Sequence, residues 1–390
     1  MASRRLSWST EENALTRALA ARRLLGRTTL DLTESNPTQV GLPLNQAAIL
    51  AALAQPAALV YEPHPQGLMV AREAVARYYA GKRVIVHPGR VLLTASTSEA
   101  YSLLFKLLCD PGDAVLVPEP SYPLFGWLTA LEAVQPMPYS LRWDGEWHLD
   151  AGLLRAALDA APRAKAILVV NPGNPTGAFL KQEERGAVAR LCRERGLALI
   201  SDEVFADFAQ GDDARRVETV AAHDDVLSFA LSGLSKVAGL PQLKLGWCVV
   251  AGPQREAERA MEQLDMVADT YLSVSTPAQV GAPAFLELRH DFQRALRGRL
   301  SRNRAALRAL HASNAPWDLL PAEGGWMAVL SVPRSRSEEE WALALLDAGV
   351  LVHPGYFFDF PDGAHLIVSL LPPEDIVAEA ARRIAAALSS

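Results

Sequence analysis

The chain has 390 residues, half of them hydrophobic and 21% charged, which is the composition of a globular protein and not of a disordered one. Its length is enough for about two domains. A formal net charge of −6, without clustered lysines or arginines, argues against nucleic acid as a partner. The first residues lack the apolar segment of a secretory signal, and no apolar run is long enough to span a membrane. We therefore expect a cytoplasmic protein that binds neither membranes nor nucleic acid.

The three cysteines, Cys109, Cys192 and Cys248, lie far apart in apolar surroundings. An odd number, without the spacing of a metal site or of a disulfide framework, predicts buried free thiols in a reducing compartment. No metal site is assigned to the eight histidines either, since a single histidine is more often a surface or core residue than a ligand.

The first predicted element is an amphipathic helix over residues 10–25. Thr10 is a suitable N-cap, Glu11 and Glu12 suit the first turn, and leucines recur at roughly helical spacing. The polar segment at residues 31–37 is then predicted to be a loop.

From about residue 85, apolar segments alternate with helical patterns. Strands are predicted at residues 91–95, 114–118, 134–139, 166–170, 197–201, 226–231 and 246–251, and helices at residues 98–109, 151–160, 181–195 and 253–268. This alternation is typical of an α/β fold, here with a mostly parallel sheet of seven strands covered by helices on both faces.

The last hundred residues have a different pattern. A long helix is predicted near residues 289–312, short strands at 326–332 and 365–371, and a closing helix at 374–388. We therefore predict a smaller α+β domain built from the N-terminal segment and the C-terminal third of the chain. The predicted division is an N-terminal arm at residues 1–45, a large domain at 46–285 and a small domain at 286–390.

Polar residues follow many of the predicted strands, and ligands bind beyond the carboxyl ends of the strands in such sheets. Ser96, Thr97 and Ser98 begin a helix, whose first N–H groups suit a phosphate. The other residues of interest at strand ends are Tyr122, Asn174, Asp202 and Lys236. Lys236 lies among small residues, and a lysine that forms an imine needs a lowered pKa and a rigid position. A phosphate cradle, an aromatic ring, an amide, a carboxylate and a lysine together indicate a site for pyridoxal phosphate.

The segment Asn-Pro-Gly-Asn-Pro-Thr-Gly at residues 171–177, followed by Asp202 and Lys236, resembles the motifs of the class I/II aminotransferases. These are fold-type-I enzymes that depend on pyridoxal phosphate, and the resemblance covers nearly the whole chain. It implies a ping-pong transfer of an amino group between an amino acid donor and a 2-oxo acid acceptor. It also implies that Lys236 binds the cofactor covalently and later carries the proton between the substrate Cα and the cofactor C4′.

The resemblance implies further roles around the cofactor. Asp202 would pair with the pyridinium nitrogen, Asn174 would donate to the ring hydroxyl O3′, and Tyr122 would stack on the ring. The phosphate would be held by Ser96, Thr97, Ser98, Ser235 and Lys244. Tyr61 would reach the phosphate of the neighbouring subunit, which implies a homodimer.

Some positions depart from the family pattern. Phe205 stands where the family has a tyrosine that binds O3′, and Lys244 replaces an arginine and so loses its bidentate geometry. Gly233 stands where a second serine is usual, and Ser232 lies one step earlier.

The residues expected to bind the substrate also depart from the family pattern. In the Arg-x-Ser pattern whose arginine binds the substrate carboxylate, this chain has Ile367, and on a strand Ile367 shares one face with His365 and Ser369. Ile367 would then offer the substrate an apolar surface. We therefore expect the carboxylate to bind elsewhere, near His365 or at Ser35 and Asn36, or the donor not to be held by a carboxylate there.

Two other functions are compatible with the same fold or family and have to be weighed. A carbon–sulfur β-lyase on the same scaffold would share every cofactor residue. A regulatory sensor related to the aminotransferases would carry an N-terminal DNA-binding domain, for which residues 1–30 are too short and the chain too acidic.

Overall fold

The computed structural model describes residues 3–6, 11–311, 315–361 and 363–389. The helices are α1 (Ala14–Leu24), α2 (Gln46–Leu53), α3 (Met69–Ala80), α4 (Thr97–Leu108), α5 (Phe125–Leu131), α6 (Ala151–Ala160), α7 (Gln182–Arg195), α8 (Leu234–Val237), α9 (Gln254–Asp269), α10 (Thr276–Leu310), α11 (Glu338–Asp347) and α12 (Glu374–Leu388). The strands are β1 (Leu30–Asp31), β2 (Val91–Thr94), β3 (Ala114–Glu119), β4 (Gln135–Trp143), β5 (Trp147–Leu149), β6 (Ala164–Val170), β7 (Ala198–Asp202), β8 (Ser228–Gly233), β9 (Gly246–Ala251), β10 (Asp318–Leu319), β11 (Met327–Ser331), β12 (Val350–Leu351), β13 (His353–Pro354) and β14 (His365–Ser369). None of the helices in these ranges is both long enough and apolar enough to cross a membrane.

The central sheet has the strand order β2-β9-β8-β7-β6-β3-β4-β5. Strands β8, β7, β6, β3 and β4 are parallel neighbours, whereas β9 is antiparallel to both β2 and β8. All seven predicted strands occur in this sheet. The short strand β5, which was not predicted, adds an eighth strand at the edge through antiparallel pairing with β4.

Helices cover both faces of the sheet, because alternate residues of each buried strand point to opposite faces. In β7, Leu199 packs in the apolar cluster that includes α3, α6, α7 and the first turns of α10. Ala198 and Ile200 pack in the opposite cluster, with α4, α5 and α9. Full burial of a leucine or isoleucine contributes about 1.5–3 kcal/mol, so both layers hold the strand ends in place.

The N-terminal segment packs against the C-terminal part of the chain. Leu15, Leu32 and Val40 lie in one cluster with the second half of α10, with α11 and α12, and with the four-stranded sheet β10-β11-β14-β13. Strand β1 also pairs with β12. The domain boundaries remain a prediction, and α10 continues without interruption across the boundary placed between residues 285 and 286.

The N-terminal helix begins later than predicted. Asn13 is its N-cap, since the Thr16 N–H donates to Asn13 Oδ1 at 2.8 Å. The proposed cap Thr10 lies outside the described residues.

Helix α10 begins well before the predicted start at residue 289, although Gly281 and Pro283 are poor helix formers. Packing against α2 explains the difference. A Cβ atom at Gly281 would lie 3.2 Å from the Ala52 carbonyl oxygen, so glycine permits the close approach of the two helices. Burial of Phe285 beside it then offsets the weak local propensity. The predicted end at residue 312 lies outside the described residues, and α2, α3, α5, α8 and α11 were not predicted.

Candidate active site

A cavity of about 260 Å³ lies at the carboxyl ends of β6, β7 and β8 and reaches towards β11 and β13. Parallel strands end at the same edge of the sheet, which is why side chains distant in sequence meet here. The predicted residues that line it are Thr97, Ser98, Tyr122, Asn174, Asp202, Phe205, Ser235 and Lys236.

Lys236 lies in the short helix α8, directly after β8. Its Nζ atom is 4.9 Å from the ring centre of Trp326 and 5.7 Å from that of Phe205. Burial lowers the pKa of Lys236 to about 8, and the charge of Asp202 opposes this shift. Near pH 8 much of the amine is therefore neutral, as covalent chemistry with a carbonyl requires.

Packing explains why glycine occupies residue 233, one of the departures from the family pattern. A Cβ atom at this position would lie 3.0 Å from Gly246 Cα in β9 and 3.2 Å from the Leu245 carbonyl oxygen. A serine at residue 233 would therefore push β8 and β9 apart. Ser232 is buried and does not line the cavity, so its hydroxyl does not replace the missing one.

Asp202 ends β7 and is 7% exposed. Its Oδ2 accepts a hydrogen bond from the Tyr101 hydroxyl at 2.9 Å, and its Oδ1 accepts one from the Val204 N–H at 3.2 Å. Burial raises the pKa of Asp202, while these two hydrogen bonds and the charge of Lys236 lower it. A buried carboxylate calls for a cationic partner, and a protonated pyridine nitrogen in the cavity would supply one.

The N-terminus of α4 also borders the cavity. The Ser96 hydroxyl caps this helix by accepting a hydrogen bond from the Glu99 N–H at 3.2 Å. The N–H groups of Thr97 and Ser98 have no acceptor within the helix, and both residues line the cavity together with Ser235. This arrangement of N–H groups and hydroxyls fits a phosphate. The N-terminus of α4 thus fits the phosphate of pyridoxal phosphate, and Lys236 and Asp202 fit its ring.

Three predicted cofactor residues, Ser96, Lys244 and Tyr61, do not line the cavity in the single chain. Lys244 is exposed and has left-handed backbone angles, φ 49° and ψ 54°. Tyr61 is 74% exposed and lines a separate cleft that also includes Tyr271 and Gln279.

Ile367 is fully buried and packs with Met327 and Phe358. Met327 and Phe358 line the cavity, whereas Ile367 does not, so it lies one layer behind the wall. The predicted apolar contact with substrate is therefore indirect.

His365 and Asn36 are not brought into the cavity either. The His365 ring stacks on Phe360 with centroids 4.4 Å apart, and its main-chain N–H donates to Glu338 at 2.8 Å. The Asn36 side-chain oxygen accepts hydrogen bonds from the N–H and hydroxyl of Thr38 at 3.0 and 2.7 Å. The placement does not support substrate contacts by these two side chains, but the neighbouring Ser35 does line the cavity.

The sequence analysis missed several lining residues, among them Tyr101, Trp326 and His353. Tyr101 lies four residues after Thr97, so it occupies the same face of α4 and could have been identified from helical spacing. Trp326 and His353 have no local signal, because tertiary packing alone brings their strands to the cavity.

Comparison with known proteins is consistent with this geometry. The family model for aminotransferase class I and II matches residues 28–384. The chain belongs to this family. It is 29% identical to the glutamate–pyruvate aminotransferase of Haemophilus influenzae, over 93% of this chain and 91% of that protein. It is 30% identical to the alanine aminotransferase of Mycobacterium bovis, over 82% of this chain and 76% of that protein.

The fold of an aminotransferase is also found in solved structures. The alanine aminotransferase of Pyrococcus furiosus superimposes with a TM-score of 0.88 at 26% identity, covering 99% of both chains. This family member is thus an aminotransferase enzyme, and its family uses pyridoxal phosphate as cofactor.

Proposed function

We propose that this aminotransferase holds pyridoxal phosphate in the cavity and binds it covalently through Lys236. The observation that carries the proposal is a lysine with a pKa lowered to about 8 in one cavity with the buried carboxylate Asp202. Bound cofactor would supply an electron sink for bonds at the substrate Cα. The Lys236 amine, once released by the substrate, would take the proton from Cα and return it at C4′.

The other lining residues would orient the ring and the phosphate. Tyr122, which contacts Phe125 edge-on at 6.0 Å, would stack on the pyridine ring. Asn174 would donate to O3′ without help from Phe205, which has no hydroxyl. Thr97, Ser98 and Ser235 would bind the phosphate.

Ser96 and Lys244 would act on the phosphate from outside the cavity lining. Ser96 holds the first turn of α4 through its cap. Lys244 lies two residues before Gly246, where an added Cβ atom would lie 3.2 Å from the Ser96 carbonyl carbon. The charge of Lys244 would therefore add to the phosphate site.

The proposed reaction moves an amino group from an amino acid donor to a 2-oxo acid acceptor by a ping-pong route. Relatives named glutamate–pyruvate and alanine aminotransferases support this substrate class. The aromatic wall of the cavity, which includes Trp326, Phe357 and Phe358, supports substrates with apolar side chains.

We further propose that two copies form a homodimer with shared sites. Leu59, Val60 and Tyr61 are exposed by 90%, 61% and 74%, and Met266 and Tyr271 are exposed by 76% and 53%. Tyr61 and Tyr271 line one cleft, Leu59 and Val60 directly precede Tyr61 in the chain, and Met266 lies near the end of α9, five residues before Tyr271. A cluster of exposed apolar side chains is typical of an interaction surface. Dimer formation would bury it and bring Tyr61 to the phosphate of the partner.

A cytoplasmic location is proposed as well. Cys109, Cys192 and Cys248 are free thiols, and Cys109 is only partly buried. Free thiols persist in a reducing compartment.

A donor screen tests the proposed function. The holoenzyme is mixed with single amino acids, without acceptor, and the cofactor absorbance is followed. Accumulation of pyridoxamine phosphate with a 2-oxo acid as the released product is the expected result. Release of pyruvate and ammonia, without conversion of the cofactor, would instead indicate a lyase.

A further inference from the structure

Strand pairing puts His353 beside the position where the family carries its carboxylate-binding arginine. His353 in β13 pairs directly with Ile367 in β14. Residues opposite each other in an antiparallel pair point to the same face, with Cβ atoms about 4.5–5.5 Å apart. Ile367 is buried behind the wall, whereas His353 lines the cavity. The imidazole therefore lies on the side of the cavity from which an arginine at residue 367 would extend.

The cavity otherwise has little positive charge for a carboxylate. Among the residues that the structure describes, no arginine lines it, and its one lysine is Lys236, which the proposed chemistry needs for other steps. A carboxylate removed from water without a cation or several hydrogen-bond donors is costly. His353 is the remaining side chain of the lining that can become a cation. Ser35, which also lines the cavity, offers a hydroxyl donor.

The surroundings of His353 favour its neutral form when no anion is bound. Its ring contacts Phe357 and Phe358, with centroids 5.8 and 5.7 Å away. Burial lowers the pKa of His353, while the charge of Asp31 and a backbone hydrogen bond with Thr33 raise it.

The other titratable groups that face the same cavity are Tyr101, Tyr122, Asp202 and Lys236. A bound carboxylate adds a negative charge to this set, next to the imidazole. An adjacent negative charge favours the imidazolium, so carboxylate binding would draw a proton onto the ring.

We propose that His353, assisted by Ser35, binds the substrate carboxylate in place of the missing arginine, and that this binding is coupled to the uptake of one proton. The ligand class is a monocarboxylate with an apolar side chain, such as the amino acid and 2-oxo acid of the proposed reaction. The inference rests on the proposed function for its substrate class, but the binding itself is measured without turnover.

The experiment uses the holoenzyme and two unreactive ligands, 3-phenylpropanoate and the uncharged 3-phenylpropanamide. Their Kd values are measured by calorimetry for the wild type and for three variants, His353→Gln, His353→Arg and His365→Gln. The measurements run from about pH 6 to pH 9, a range that includes the ordinary pKa of histidine. Loss of one hydrogen bond between charged groups corresponds to a rise in Kd of about tenfold or more, which we expect for the propanoate with His353→Gln near pH 7. The uncharged propanamide should bind equally well to the wild type and to His353→Gln.

The pH dependence identifies the proton. For the wild type, log Kd of the propanoate should rise with pH between the pKa of the free imidazole and the higher pKa of the complexed imidazole, by at most about one unit per pH unit, and should level off above the latter. Protonation of the cofactor-bound Lys236 nitrogen would affect every variant, so the difference in slope between wild type and His353→Gln isolates the histidine. His353→Arg should restore affinity with a flatter pH profile, and His365→Gln, outside the cavity, should resemble the wild type.

Unchanged Kd and slope in His353→Gln would overturn the inference, as would a wild type that binds the propanoate no better than the amide. Failure of this inference can be distinguished from failure of the proposed function. The latter would appear in the donor screen as absence of cofactor conversion, whether or not the propanoate binds.

Discussion

Tyr101 donates its hydroxyl to Asp202 Oδ2 at 2.9 Å and so joins the helix that begins at the proposed phosphate site to the strand that carries the buried carboxylate. Both residues line the cavity. The hydrogen bond helps Asp202 to stay ionised against the effect of burial on its pKa.

Tyr101→Phe should therefore raise the pKa of Asp202 and weaken its interaction with a protonated pyridine. A hydrogen bond to a charged group is worth about 1.5–3 kcal/mol, so cofactor affinity should fall about tenfold or more. The cofactor affinity is measured by titrating the apoenzyme with pyridoxal phosphate and following tryptophan fluorescence. Tyr139→Phe is the matched control, since its buried hydroxyl binds the Leu168 carbonyl oxygen at 2.8 Å, away from the cavity. Equal losses in both variants would contradict the role of Tyr101.

Lys236 should carry the cofactor. Reduction of the holoenzyme with borohydride should label one peptide, the one containing Lys236, and Lys236→Ala should abolish the label. Lys244→Ala should keep it, because Lys244 lies outside the cavity. Mass spectrometry of the digested protein gives the answer, and a label on Lys244 or on any other lysine would overturn the assignment of roles.

The reactivity of Lys236 in the apoenzyme should depend on pH with a midpoint of about 8, because only the neutral amine attacks an electrophile. The charge of Asp202 raises the pKa of Lys236, so Asp202→Asn should move the midpoint to lower pH. Competitive acetylation, with peptide-resolved mass spectrometry at several pH values, measures both midpoints. A shift to higher pH in Asp202→Asn would show that the two groups do not interact as described.

Phe205→Tyr should lower the pKa of the cofactor-bound Lys236 nitrogen. A hydroxyl that donates to O3′ stabilises the negative charge of O3′, and a less basic O3′ holds the neighbouring proton less tightly. The measurement is a pH titration of the cofactor absorbance. Phe357→Tyr, a second aromatic residue of the lining, is the control and should leave the pKa unchanged. If Phe205→Tyr leaves this pKa unchanged, residue 205 does not face O3′.

The dimer should share its sites through Tyr61. Sedimentation is expected to give twice the mass of the chain. Tyr61→Ala subunits, which we expect to be strongly impaired, and Lys236→Ala subunits, which we expect to be inactive, should on mixing and reassociation regain about a quarter of wild-type activity, since half of the dimers are hybrids and each hybrid has one intact site. A fully active monomer at assay concentration, or mixing without recovery, would contradict shared sites.

Much of this site could be predicted because its residues adjoin strong local patterns. The buried strands are mostly apolar runs; Asp202 ends one of them, and Asn174 and Lys236 each follow one within a few residues. Parallel strands end at one edge, so the meeting of these side chains follows from the strand order. The same reasoning extends to Tyr101 by helical spacing.

The substrate side could not be predicted in the same way. Strand β14 was predicted, and its alternation was used to place His365, Ile367 and Ser369 on one face. The neighbouring strand β13 has two residues and no detectable sequence pattern. Its pairing, and hence the juxtaposition of His353 with Ile367, depends on long-range contacts.

The sequence by itself determined the α/β fold, the strand ends that carry Asn174, Asp202 and Lys236, and the absence of an arginine at residue 367. Only the tertiary structure decided that Met327 and Phe358 cover Ile367, that His365 and Asn36 have partners elsewhere, and that His353 and Ser35 line the cavity. The physical reason is that apolar periodicity reports which face of an element is buried. The choice of residues that stand opposite each other across short strands is made by the packing of the whole core.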